Sequence, residues 1–317
     1  MVNREELKNN IINLKFLTQS EQKKTQNVKY PIELINESFE LNPEHIKPKL
    51  INIDSKHKLW KQWKAIEQNV SSFNFRRSAG RNCYFLVINE YDGKSLGAID
   101  LGADFLSLGK RDEYIGCDKE QRKLKNRNIA NIQLCVPTRN FGYNLCGGKL
   151  LALLSISNEV GQVWKDKYGD DLAGVTVTSL YGRGSQYNRL KQFKYVGKTK
   201  GQGTCQIPDE IYKQCRLIVE EEEGEIKGGC FTKGKNSRIN IIRKACKYLN
   251  IDAKILTTHN QQRGIYWCDR GYNTHDFLSN NNIDFLEYKH YNINELYTYW
   301  KEVWAYRRLK NLNLSLT

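Results

Sequence analysis

The chain has 317 residues and nine cysteines, yet no Cys-x-x-Cys pair. Cys83, Cys117, Cys135, Cys146, Cys205, Cys215, Cys230, Cys246 and Cys268 are odd in number and scattered, which argues against a zinc ribbon and against a disulfide framework. Several stand in apolar runs, where cysteine acts as a small buried hydrophobe, and the expected compartment is reducing. The five histidines form neither His-x-x-x-His nor His-Glu-x-x-His, so a metalloenzyme has little support. No Asp/Glu/His cluster suited to Mg²⁺ stands out, which counts against a nuclease. The opening MVNREELKNN lacks an apolar signal core, and no apolar run approaches a membrane span. The expectation is a cytosolic protein, in a bacterium or an infected host cell.

Acid is short as well. Lys+Arg number 50 against Asp+Glu 35, a net charge of +15. Such an excess points to a polyanion, most often nucleic acid, the alternative being a merely solvated basic surface. The cations lie among aromatics and glycines rather than in a detached tail, which favours binding. With 39% hydrophobic and 27% charged residues, the chain affords an ordered core, in one large domain or two ordinary ones.

Periodicity gives an order of elements. Residues 1–30 predict a short helix and a linker, and prolines at 31, 43 and 48 punctuate the next twenty or so positions. Residues 54–70 predict a helix with Leu59, Trp60, Trp63 and Ile66 on one side. Residues 83–89 and 95–101 predict a hairpin turning at Tyr91–Lys94. Just before it, Arg76, Arg77 and Arg81 stand beside Phe73 and Phe75, a mixture that suits phosphates and unstacked bases. Strands are expected at 129–136, 172–180 and 193–199, and helices at 209–219, 237–249 and 294–309. Glu220–Glu223 reads as a solvated acidic run. Arg307, Arg308 and Lys310 close the last helix, where they suit its dipole or a phosphate.

The stretch from Arg139 to Gly203 organises the rest. Its loop carries Arg139, Gly142, Asn144, Gly147 and Gly148 and opens a helix that is apolar nearly all round. A helix start has unpaired N–H groups and partial positive charge, which suit a phosphate. The other reading is a plain helix entry.

The order strand, Arg-x-x-Gly loop, helix, strand, Tyr-bearing short helix and FKYVGKTKG strand resembles the C-terminal half of the GNAT acyltransferase fold. That resemblance implies an α+β fold with a mixed central β-sheet flanked by helices. It implies an N-terminal helical extension over 1–75, a core over 76–207 and a C-terminal α/β extension over 208–317. In that fold an Arg/Gln-x-x-Gly-x-Gly/Ala loop holds the coenzyme A pyrophosphate. Arg139, Gly142 and Asn144 stand in those places, with Asn144 departing from Gly/Ala. RDEYIGCD (Arg111–Asp118), Arg122, Asn126, the Trp164–Gly169 segment, FKYVGKTKG and RGIYWCDRGYNTHDFL come in the same order as in the family of the Druantia anti-phage protein DruA. That likeness runs over roughly 80–280, and Cys117 stands where that family carries Trp. The tyrosine segment also resembles phage Mom proteins, GNAT-type enzymes that modify adenine in DNA.

These resemblances imply acyl transfer from an acyl-CoA, such as acetyl-CoA, to an amine of double-stranded DNA. Val136, at the strand end, supplies a backbone N–H for the acyl carbonyl. Tyr187, with Tyr181 second, protonates the leaving thiolate, and Asp112 or Asp118 receives the amine proton. Arg76, Arg77, Arg81, Arg111, Arg183, Arg189 and Arg263 are the expected nucleic-acid contacts. Each has a structural alternative: a packing tyrosine, a capping aspartate, an exposed basic turn. The competing functions are a DNA-binding defence component without chemistry and an acyltransferase for a protein or RNA amine.

Overall fold

Asn82–Asn89 reads NCYFLVIN and is buried on both faces, as a central strand must be. In the computed structural model, which describes residues 2–14, 28–37, 42–72, 80–200, 208–226, 238–256, 262–280 and 282–313, this run is β2 of a seven-stranded sheet. The strands are β1 (Pro48–Ile53), β2, β3 (Ser95–Ala103), β4 (Ile129–Pro137), β5 (Gly174–Ser179), β6 (Lys194–Lys198) and β7 (Gly264–Asp269), in the spatial order β1-β2-β3-β4-β5-β7-β6. The helices are α1 (Arg4–Leu14), α2 (Trp60–Asn69), α3 (Gly109–Ile115), α4 (Lys119–Lys125), α5 (Arg139–Leu145), α6 (Gly147–Leu154) and α7 (Asn158–Tyr168). They continue as α8 (Asp209–Glu223), α9 (Arg238–Tyr248), α10 (Thr274–Ser279), α11 (Ile293–Trp300) and α12 (Tyr306–Asn311).

The chain divides into two compact units. One comprises Met1–Asn27, Ser72–Asn74 and Lys200–Gln262; the other comprises Val28–Ser71, Phe75–Thr199 and Arg263–Thr317. The cuts expected at 75 and 207 do not match these units, because the sheet takes β1 from before the first cut and β7 from beyond the second. In the smaller unit, α1, α8 and α9 bury Leu7, Ile11, Cys215, Ile218, Ile242 and Cys246 together. Its acidic run is the end of α8, where Arg4 bonds Glu222 at 2.7 Å and Lys244 and Tyr248 hold Glu223.

In the larger unit β1 to β4 form an antiparallel meander. Side chains alternate between its faces. Phe85 and Val87 meet the largely apolar α6 on one face, while Tyr84 and Leu86 meet Trp63 of α2 on the other. Helices α5 to α7 then carry the chain over to β5, which lies parallel to β4. Only Ile129, Ala130 and Asn131 pair with Gly174, Val175 and Thr176. Beyond that point β4 stays with β3 up to Pro137↔Gly97, and β5 stays with β7 up to Ser179↔Gly264. The two parallel strands therefore part. Strand β7 lies between β5 and β6, antiparallel to both.

Gly174 shows how tightly the parallel junction is packed. A Cβ there would sit on the outer ring of Trp267, a fully buried side chain. Gly174→Ala is expected to cost about 1–3 kcal/mol by overpacking, read as a lower urea midpoint at unchanged slope.

Candidate functional site

The place where β4 and β5 part is filled by the chain itself. The Gln186 amide donates to the carbonyl of Cys135 on β4 at 2.9 Å. Its other end lies against Gly148, where a Cβ would collide with Oε1. Tyr187, next in the chain, turns inward. It is 6% exposed, its ring lies 5.3 Å from Phe193 and 5.9 Å from Tyr266, and its hydroxyl meets the Cys135 thiol. Burial raises the Tyr187 hydroxyl well above its ordinary pKa, and the same burial pushes Cys135 up to about 12. Tyr187 is thus a packing residue of the core, whereas Tyr181 is 61% exposed.

The expected phosphate loop is likewise occupied from within. Thr138 precedes α5, and the Asn140 N–H donates to Glu37 Oε1 at 2.9 Å. A carboxylate of this chain therefore takes the place at the helix start where a phosphate was expected. The Arg139 guanidinium donates to the Asn69 carbonyl at 2.9 Å, and Asn144 back-bonds to the Asn140 carbonyl at 3.0 Å. A Cβ on Gly142 would lie 2.8 Å from Pro137 Cγ, and one on Gly147 would strike the Phe141 ring. These glycines give room to the chain's own side chains. The loop expected here is itself a helix, α5, which ends at Cys146, φ 53°, where α6 begins. Val136 pairs with Ala98 in the sheet.

The two expected carboxylates serve the fold. Asp118 caps α4, accepting from the Gln121 N–H while the Gln121 side chain accepts from the Asp118 N–H. Asp112 is buried, with Arg111 on Oδ1, and Arg122 and the Leu108 N–H on Oδ2. Arg111, expected at a phosphate, is 0% exposed and clasped between Asp112 and Asp104. Thr176 of β5 donates to Asp104 at 2.6 Å, so the network ties α3 and α4 to the sheet. Burial pushes the Asp104 carboxyl up, with Arg111 and Thr176 pulling the other way.

Among the other expected contacts, Arg76 and Arg77 lie outside the described residues. Arg81 bonds Asp170 and lies 4.8 Å from the Tyr168 ring centre. Burial holds the Arg263 guanidinium below its usual pKa. Arg183 and Arg189 remain over aromatic rings, Tyr195 at 4.9 Å and Trp304 at 5.6 Å.

Arg189 belongs to a surface of which the sequence signals only Arg189 itself and Arg308. Lys149 lies 4.2 Å from the same Trp304 ring, and its ammonium bonds the Asn188 carbonyl. Lys191 lies over Tyr299 at 4.7 Å, and Arg308 over Tyr143 at 4.8 Å. Tyr143 is 65% exposed. Among the described residues none of Lys149, Arg189, Lys191 and Arg308 is ion-paired to a carboxylate. Trp304 sits in a single π-helical turn, Lys301–Ala305, between α11 and α12, a local widening often found at functional sites. Burial, with Arg189 next, lowers Lys149 to about 8.

A second cluster gathers three segments far apart in sequence. Asp269 ends β7 and shares a face with Trp267, two residues back. The Trp267 indole N–H donates to Asp269 Oδ1 at 2.6 Å, and His275 Nε2 lies 3.2 Å from the same oxygen. Burial works to raise Asp269, but the bonds from His275 and Trp267 outweigh it and hold the carboxyl low. Lys289 stands 4.0 Å from Oδ2. The Tyr114 ring meets His275 edge-on at 4.9 Å, and Lys194, paired across the sheet with Trp267, lies 4.7 Å from Tyr114. His275 is 36% exposed and Asp269 24% at their side chains. Each segment is a recognisable motif by itself, but nothing local joins them: the pairing of β6 with β7 and the turn into α10 bring them together.

The fold and these sites define a basic α+β protein, with a seven-stranded mixed sheet flanked by helices and a cation–aromatic surface. The family model described as "Druantia protein DruA" matches residues 5–280, and the chain belongs to that family. It is 30% identical over 207 residues to "Druantia protein DruA" of Escherichia coli (strain UMEA 4076-1), covering 59% of this chain and 50% of the relative. The chain thus spans about half the length of the curated relative it matches. No solved structure matches it significantly. Among the described residues no helix is long and apolar enough to cross a membrane.

Proposed function

We propose that the chain is the nucleic-acid-gripping component of an anti-phage defence system. Membership of the DruA family supports the defence role. The observation that carries the binding is the surface of Lys149, Arg189, Lys191 and Arg308 over Trp304, Tyr299 and Tyr143. Cations seated on aromatic faces without carboxylate partners suit phosphates beside stacked bases. A net charge of +15 adds long-range attraction. Fluorescein-labelled duplex DNA, single-stranded DNA and RNA, titrated at several salt concentrations, test this. The reading expects log affinity to fall linearly with log salt; no binding at low salt removes it.

The sheet order supports a second reading, acyl transfer. A parallel β4–β5 pair that parts after three residue pairs, with β7 inserted between β5 and β6, is similar to the GNAT arrangement in which acyl-CoA lies between the strands. Glu37 and Gln186 would have to leave the positions they hold. This reading expects acetyl-CoA to raise the melting temperature and Arg139→Ala to abolish the rise. No rise with saturating acetyl-CoA leaves nucleic-acid binding alone.

A further inference from the structure

The Asp269–His275 cluster takes no part in that surface, and its chemistry is different. We propose that it is an acid–base centre that cleaves RNA by internal transesterification. The proposal rests on the reading that the chain holds nucleic acid, and it adds a substrate class and a reaction.

Asp269 Oδ1 accepts from the Trp267 indole and from His275 Nε2. A carboxylate fixed on two donors sets the tautomer of the ring: with Nε2–H facing Asp269, Nδ1 keeps its lone pair. A partly exposed histidine oriented in this way is a general base. Its surroundings select an anion. Lys289 stands 4.0 Å from Asp269 Oδ2, and Lys194 lies over the Tyr114 ring that meets His275. Tyr114 closes one side of the imidazole. An anionic substrate that brings its own hydroxyl beside a phosphodiester asks the protein for a base, an acid and cations, and all three are here. The ribose 2′-hydroxyl meets that description.

The step balances without another reactant. His275 Nδ1 takes the proton of the 2′-hydroxyl, the O2′–P bond forms and the P–O5′ bond breaks. The Lys194 ammonium gives its proton to the departing O5′. The products are a 2′,3′-cyclic phosphate and a 5′-hydroxyl, and solvent restores both side chains. Asp269 acts through His275 and is a positioning residue.

The test uses the full chain with three 5′-labelled strands of one sequence: RNA, DNA and fully 2′-O-methylated RNA. RNA is expected to be cut to cyclic-phosphate ends while the other two stay intact. His275→Ala should slow cutting by about 10²–10⁴-fold, the usual worth of an acid–base group. Lys194→Ala, at an exposed position on the edge strand, should slow it at least about tenfold while leaving the melting temperature unchanged. Asp269→Asn should lower the rate and shift its pH profile while RNA binding is kept. RNA that is bound but left whole overturns the centre, as does equal cutting by His275→Ala or equal cutting of 2′-O-methylated RNA. Failure to bind any strand overturns the nucleic-acid reading instead.

Discussion

Arg111→Met is expected to lose about 3–5 kcal/mol of folding stability, the usual result of removing one partner from a buried ion pair. The guanidinium is 0% exposed and joins Asp104, Asp112 and the Phe105 carbonyl. Methionine fills similar volume but leaves both carboxylates facing no cation at that point. Asp112 keeps Arg122; Asp104 keeps the Thr176 hydroxyl and the Phe105 N–H. The loss therefore falls mainly on Asp104, and its pH dependence has a sign. Burial already raises the Asp104 carboxyl, and Arg111 opposes that rise. Removing Arg111 raises it further. A carboxyl with a raised folded pKa contributes its stability below the unfolded value and loses it as pH rises through the folded value. The deficit of Arg111→Met should thus be smaller at pH 5 than at pH 8. Urea unfolding at both values checks this, and a deficit that grows on acidification contradicts it.

The second large effect is on nucleic acid. Lys149→Gln, Arg189→Asn, Lys191→Gln and Arg308→Gln together are expected to weaken duplex binding on the order of a thousandfold at 0.1 M salt, if each cation meets one phosphate. Arg189 has φ 62°, so asparagine, which tolerates the left-handed region, is the replacement that keeps the backbone. Folding should be little altered, since none of the four is ion-paired to a carboxylate among the described residues. Lys149 adds a pH dependence. Burial and then Arg189 lower it to about 8, with Cys146 opposing. Its charge is present below that pH and lost above, so the parent's affinity should fall from pH 7 to pH 9. Lys149→Arg should flatten that fall. Anisotropy across the pH range measures both.

The legible parts of the fold were those with a local cause. NCYFLVIN and IANIQLCVP announce buried strands, and GGKLLALL is apolar nearly all round, so β2, β4 and α6 appear where periodicity puts them. The hairpin turn at Tyr91–Lys94 was legible for the same reason. Features that escaped depend on partners distant in sequence. RDEYIG offers Arg111 as an expected nucleic-acid contact, yet Asp104 and Thr176 draw Arg111 inside. The Arg139 loop reads as an anion site, but Glu37 arrives from a proline-punctuated stretch to occupy it. Arg270 merely flanks an apolar run in the sequence, while the carbonyls of Leu172, Ile156 and Ser157 hold it in the core. Asp269 and His275 are six positions apart in one motif, but only the turn after β7 faces one to the other. The surface around Trp304 needs a π turn that no periodicity signals.

The most direct test compares salt titrations of duplex binding for the parent, the fourfold variant and Arg139→Gln. The slope of log affinity against log salt should shrink by about 3–4 in the fourfold variant, at roughly 0.9 for each phosphate no longer neutralised. Arg139→Gln should lie on the parent line. Parallel lines for parent and fourfold variant, or a slope that falls with Arg139 alone, would contradict the cation–aromatic surface and move the polyanion to the β4–α5 loop.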